Sequence, residues 1–238
     1  MSTITFNRRL RATWLIEGLR LAAQGVEKAQ AEATLRALVG SENSGQDTIT
    51  KSVRYIRHLW LSGNDEVSPL RQSALALYRE QPQTSRAQIL CWGTVLARYP
   101  FVRQVSEIVG RLLRLQGDVK QEQLKRKIKE TFGEKEAAVR SGRYAVSLLS
   151  DFGFIRLGRK SGRYESGVRL QVDDPALAAW FLQAFMASAD RREMPKDELT
   201  SASSLFMMFP ETLLSLALRT PRVGLGRESL SRELVSLL

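Results

Sequence analysis

Apolar residues recur at helical spacing through the first half of the chain. Leu10, Trp14, Leu15, Leu19 and Ala22 fall on one helical face, and Gly25 is placed to stop that helix. "VEKAQAEATLRALVG" predicts a second helix with Gly40 at its C-terminal cap. The turn residues of "SENSGQD" separate it from a third, in which Ile49, Val53, Ile56 and Trp60 step by four, three and four. Ser68 as N-cap and Pro69 at the first helical position open a fourth. "TSRAQILCWGTVLARYP" predicts a fifth, ended by Pro100. Phe101, Val105, Ile108, Val109 and Leu112 continue as a sixth that stops near Gly117. Nothing before Gly117 demands a strand.

From Asp118 the pattern changes. Asp118 and Gln121 have the spacing of a capping box, opening a helix whose stripe is Val119, Leu124, Ile128 and Phe132. A second helix follows Gly133, with Val139, Val146, Leu149 and Phe152 inward. "FIRL", the turn "GRKSG" and "RYESGVRLQV" then predict two short strands joined as a hairpin. Three helices followed by a basic hairpin is the plan of a winged helix-turn-helix, spanning about 101–172. Beyond Pro175, "PALAAWFLQAFMASA" is apolar nearly all round, so it is either deeply packed or shared with a partner. "RREMPKDELTSASS" is polar and predicts a loop. The run Leu205 to Phe209 before a Pro-started helix is either core or a subunit contact, and "GRESLSRELVSLL" predicts a short amphipathic helix. The expected fold is mainly α: a multi-helix bundle with a central winged helix-turn-helix-like unit carrying a short β-hairpin. Its regions are 1–80, 81–172 and 173–238.

Charge adds a direction to this plan. The 238 residues carry a formal net charge of +11. By region the nets are +3 for 1–80, +4 for 81–117, +6 for 118–170 and −2 for 171–238. The excess therefore sits in the middle of the chain, as expected for a nucleic-acid-binding unit. Lys51, Arg54 and Arg57 form a smaller second patch. No apolar run is long enough to span a membrane, and the start of the chain has no secretory apolar segment. The single cysteine, Cys91, excludes an internal disulfide framework and fits a reducing cytoplasm.

The tetrapeptide SGRY occurs twice, at Ser141–Tyr144 and Ser161–Tyr164, one copy on the predicted recognition helix and one on the wing. Arg140, Ser141, Arg143, Tyr144 and Ser147 fall opposite the apolar stripe, where they suit base edges and phosphates. Gly142 either allows close approach of a partner or marks a break between two helices. Arg159, Lys160 and Arg163 are the wing candidates, and Lys125, Arg126 and Lys129 the phosphate candidates. Catalytic chemistry is not indicated. His58 is the only histidine, one His and one Cys make no zinc cluster, and the spacing of Gly153 and Gly158 lacks the Lys-Ser/Thr pair of a phosphate loop. No enzyme, cofactor or metal is expected. Double-stranded DNA is the expected partner; the alternatives are a structural adaptor, an RNA-binding protein or a transcriptional regulator.

Two stretches resemble the BrxA family of bacteriophage-exclusion (BREX) defence systems. They are "RRLRATWLIEGLRLAAQG" with "TITKSVRYIRHLWL", and "ILCWGTVLARYPFVRQVSEIV" leading into "SGRYAVSLLSDFGFI". Together they span most of residues 6–155 and carry no catalytic signature. The resemblance implies a small, mainly helical, non-enzymatic protein that binds duplex DNA and acts beside other defence-system proteins; the cytoplasmic expectation comes from the cysteine content. The resemblance transfers no binding residue to a position here.

Overall fold

The periodic segments fold into eleven α-helices and six short strands among the residues described by the computed structural model, which are 6–62, 65–158, 162–229 and 232–238. The first five helices are α1 (Ala12–Ala23), α2 (Lys28–Gly40), α3 (Gln46–Trp60), α4 (Ser68–Glu80) and α5 (Thr84–Arg98). Their stripes are buried as the spacing predicts: Trp14, Leu15 and Leu19 on α1, and Ile49, Val53, Ile56 and Trp60 on α3. Helix α4 begins at Ser68 with Val67 as its N-cap, one residue before the expected start. No described helix is long and apolar enough to cross a membrane.

The middle of the chain runs α6 (Pro100–Gln116), β1 (Asp118–Lys120), α7 (Gln121–Phe132), α8 (Glu136–Asp151), β2 (Ile155–Leu157) and β3 (Arg163–Ser166). The strands form an antiparallel sheet in the order β1-β3-β2. Strand β1 corrects the expected helix start at Asp118. The Asp118 carboxylate does not cap a helix; it pairs with Arg163 across the sheet, and Val119 is fully buried opposite Tyr164. The in-out alternation of these three residues satisfies a strand, and α7 starts at Gln121 without a side-chain cap.

In the last third, α9 (Pro175–Ala187) is capped by Asp174, which accepts hydrogen bonds from the backbone N–H groups of Ala176 (2.8 Å) and Leu177 (3.4 Å). Trp180, Phe181 and Phe185 are buried on several faces of α9, which packs against α4 and α5. Deep packing is thus the outcome for this helix. Then follow β4 (Glu193–Pro195), α10 (Lys196–Ser201), a 3-10 turn (Ser203–Leu205), α11 (Pro210–Ala217), β5 (Val223–Ser229) and β6 (Arg232–Leu237). Two expectations are overturned here. The polar stretch from Arg191 holds a strand and a helix, and the C-terminal stretch expected as a helix is the hairpin β5–β6. Strand β6 lies between β4 and β5, with Val235 buried opposite Met194 and Leu225. Gly224 and Gly226 weigh against helix in β5. The order helix, strand, helix, helix, strand, strand, with the last strand central, occurs twice: α6 to β3 and α9 to β6.

One continuous cluster of buried side chains runs from Phe6 to Val235. The two sheet-bearing parts meet where α6 passes the 3-10 turn. A Cβ at Gly110 would lie 1.9 Å from the Ser203 carbonyl oxygen. Beside it the Ser204 N–H donates to Glu107 (2.8 Å), and the Arg114 guanidinium donates to the Ser201 carbonyl (3.0 Å). Backbone blocks backbone at Gly110, so relaxation requires the helix to move. Gly110→Ala is therefore expected to cost about 1–3 kcal/mol, read as a lower urea midpoint. A midpoint equal to wild type would show that this contact does not hold the parts together.

Candidate nucleic-acid interface

Helix α8 runs without a break from Glu136 to Asp151 and is covered on two sides. Its inner stripe packs toward α6. A second side, carrying Ser141, Gly142 and Ala145, is buried. A Cβ at Gly142 would fall 2.6 Å from Ile128 Cγ2, so this glycine lets α7 and α8 cross closely and neither breaks the helix nor approaches a ligand. Ser141, expected on the outer face, is 1% exposed. What remains outward is Arg140 and Arg143, with Tyr144 and Ser147 half-buried.

The cations differ in how far they are neutralised. Arg140 pairs with Glu136 one turn back at 3.3 Å. Arg126 (3.6 Å) and Lys127 (2.6 Å) share Glu130, and the Lys127 hydrogen bond holds the Glu130 carboxyl below its ordinary range. Lys125, Lys129 and Arg143 have no carboxylate partner among the described residues. Arg163 is 27% exposed and committed to Asp118 on β1. Arg159, Lys160 and Ser161 lie outside the described residues.

Between α7, α8 and the hairpin lies an open groove of about 690 Å³. Lys125, Arg143 and Ser147 line it, joined by Arg9 from the N-terminal segment. Leu124, Ile128 and Val146 form apolar wall, and Leu157, 66% exposed, stands at its side. Of its two carboxylates, Glu122 is exposed on α7. Asp151 is engaged elsewhere: it accepts the Ala12 N–H at the start of α1 and the Arg11 Nε–H at 3.3 Å. Tyr164 completes the wall, its phenol pushed up by burial and opposed by a bond with Gln121.

The two SGRY copies therefore do different things. The first contributes a buried Ser141 and Gly142, an outward Arg143 and a half-buried Tyr144. In the second, Arg163 serves strand pairing and Tyr164 the groove. Sequence reasoning missed Arg9, Asp151 and Tyr164. They come from separate parts of the chain, and only Tyr164 carried a local signal, its place in the repeat.

The second basic patch, on α3, is more neutral. On α3, Lys51 pairs with Asp47 (2.7 Å) and Arg57 with Glu32 (3.3 Å), which leaves Arg54 exposed. Burial, then Arg57, Arg98 and Arg54, lower the His58 pKa from its ordinary value. Cys91 is fully buried, which pushes its thiol well up. Among the described residues no group of three or more His, Cys, Asp or Glu side chains is placed to hold a metal ion. Comparison with known families, curated proteins and solved structures finds no match for this chain.

Proposed function

We propose that the chain binds double-stranded DNA, largely through phosphates, using a winged helix-turn-helix unit built from α6 to β3. In this reading α8 faces the duplex and the β2–β3 hairpin flanks it as the wing. The observation that carries it is the set of unneutralised cations Lys125, Lys129 and Arg143 on α7 and α8, with Lys125 and Arg143 in one groove. Fixed positive charge left without partners favours a polyanion, because contact releases the polyanion's condensed counterions. The resemblance over residues 6–155 supplies a setting: a non-enzymatic component of a BREX-type phage defence system. The exposed Leu157 beside an apolar wall favours a second reading, an adaptor that seats a partner protein in the same groove.

The test is fluorescence anisotropy with a labelled duplex two helical turns long, across a salt series, with duplex RNA as competitor. The expected result is affinity that falls linearly on a log-log salt plot, with RNA competing weakly. With about six phosphate contacts the loss is roughly a thousandfold between about 50 and 200 mM salt. No binding at the lowest salt would sink the DNA reading and favour the adaptor.

A further inference from the structure

Asp151 is out of place by charge alone. It is the last residue of α8, and a helix C-terminus favours cations over anions. It also borders the groove read above as binding phosphate, which a carboxylate repels. Its side chain is only 20% exposed, and both of its oxygens are used. One accepts the Ala12 N–H and the other the Arg11 Nε–H at 3.3 Å. Helix α1 has no side-chain cap of its own at Arg11. A carboxylate from α8, 139 residues away in sequence, supplies it.

The segment that arrives at this cap, residues 6–11, forms no helix or strand, yet it is pinned along its length. Phe6 is fully buried, its ring centre 5.4 Å from that of Tyr99 and 6.1 Å from that of Tyr55. The Asn7 N–H donates to the Tyr55 hydroxyl (3.1 Å), which donates in turn to Asn7 Oδ1 (2.8 Å). Arg8 pairs with Asp47 (3.3 Å), and Leu10 is fully buried. Arg11 pairs with Glu42 as well as Asp151. Arg9 is the exception. It is exposed, has no carboxylate partner among the described residues, and lines the groove with Lys125 and Arg143.

We infer that Asp151 is a positioning residue for duplex binding: by holding the segment 6–12 to the end of α8, it keeps Arg9 in the groove as a further phosphate-contacting cation. The inference rests on the DNA reading above and gives that site a part from outside the α6-to-β3 unit. Two features offset the unfavourable charge of Asp151. The Arg11 guanidinium and the N-terminal end of α1 face the carboxylate and balance it. A segment fixed before binding also spares Arg9 the ordering that a loose one would lose on contact.

Salt-dependent duplex binding of wild type, Arg9→Ala, Arg9→Lys, Asp151→Asn and Arg9→Ala/Asp151→Asn tests this, because charge and positioning predict opposite signs. A carboxylate acting only through its charge would, on removal, tighten the binding of a polyanion. A positioning carboxylate does the reverse. The amide keeps one of the two bonds and turns its NH2 group toward the other donor, which loosens the segment. Asp151→Asn is therefore expected to bind several-fold more weakly with a shallower salt slope, although the protein has lost a negative charge.

Arg9→Ala is expected to bind about 8-fold more weakly at roughly 0.1 M salt, with a slope shallower by about 0.9, and Arg9→Lys to keep the slope. Once Arg9 is gone, Asp151→Asn is expected to weaken binding no further, a coupling that a general loss of fold does not give. Tighter or unchanged binding by Asp151→Asn, or an equal further loss in the double variant, overturns the positioning role. Wild-type affinity and slope in Arg9→Ala overturn the Arg9 contact; the DNA reading then stands on the loss of binding by Lys125→Ala/Lys129→Ala/Arg143→Ala. No binding by the wild-type chain at the lowest salt overturns both.

Discussion

Lys125→Ala/Lys129→Ala/Arg143→Ala is expected to weaken duplex binding by about 10²–10³-fold near 0.1 M salt, and to make the salt slope shallower by about 2.7. The size follows from the neutralisation pattern and not from the number of basic residues. Lys125, Lys129 and Arg143 have no carboxylate to leave when DNA arrives, so each gains counterion release in full. Arg126 and Arg140 must first give up Glu130 and Glu136, and each is expected to contribute less. Arg163→Ala makes the contrast. Its guanidinium joins β3 to β1 through Asp118, so its removal is expected to lower stability by about 1 kcal/mol and leave the salt slope alone. A triple variant that binds as wild type would move the interface away from α7 and α8. A changed slope in Arg163→Ala would show that the ion pair opens to reach phosphate.

The helices of the first half were legible because each is long enough to show its period several times. The three-residue strands β1 and β4 were not, whereas β2, beside a turn rich in glycine, was. Asp118 to Lys120 show no period over so short a run, and the Asp-x-x-Gln spacing looks like a helix start until the distant Arg163 is brought alongside. The C-terminal hairpin misled for a related reason. Leu234, Leu237 and Leu238 suit a helical face as well as a strand, and the choice is made by β4, some forty residues earlier in the chain. A short amphipathic segment takes the form that its neighbours can pair with.

At the candidate interface, the cations of α7 and α8 were legible as residues opposite an apolar stripe. The exposure of Ser141 was misread because α8 has two covered sides, and the second side is made by Ile128 fitting against a glycine. A stripe of large apolar residues reveals the first kind of burial; small residues such as Ser141, Gly142 and Ala145 conceal the second. Arg9, Asp151 and Tyr164 reach the groove through tertiary structure, and the Asp151 bond to the first N–H of α1 has no local signature at all.

Asp174→Asn is expected to destabilise the protein by about 3 kcal/mol, the largest loss from a single polar change in this fold. Asp174 does two things at once. It caps α9, and it faces the guanidinium of Arg86 on α5, which is 4% exposed and has its other side-chain contact at Gln81 (3.1 Å). Asparagine keeps an oxygen for the cap, so the substitution isolates the charge. It leaves a buried cation without its anion, and the Arg86 Nε already has no partner. Asp174 is itself about a quarter exposed, which admits some water and keeps the loss near the lower end of the range for buried pairs. Replacing both partners, Arg86→Met with Asp174→Asn, is expected to recover most of the loss, because a methionine in that site needs no counter-charge. Urea unfolding of the four proteins gives the coupling directly. A single Asp174→Asn variant within about 0.5 kcal/mol of wild type would show that water or Gln81 already satisfies Arg86, and that α9 is held by its apolar faces alone.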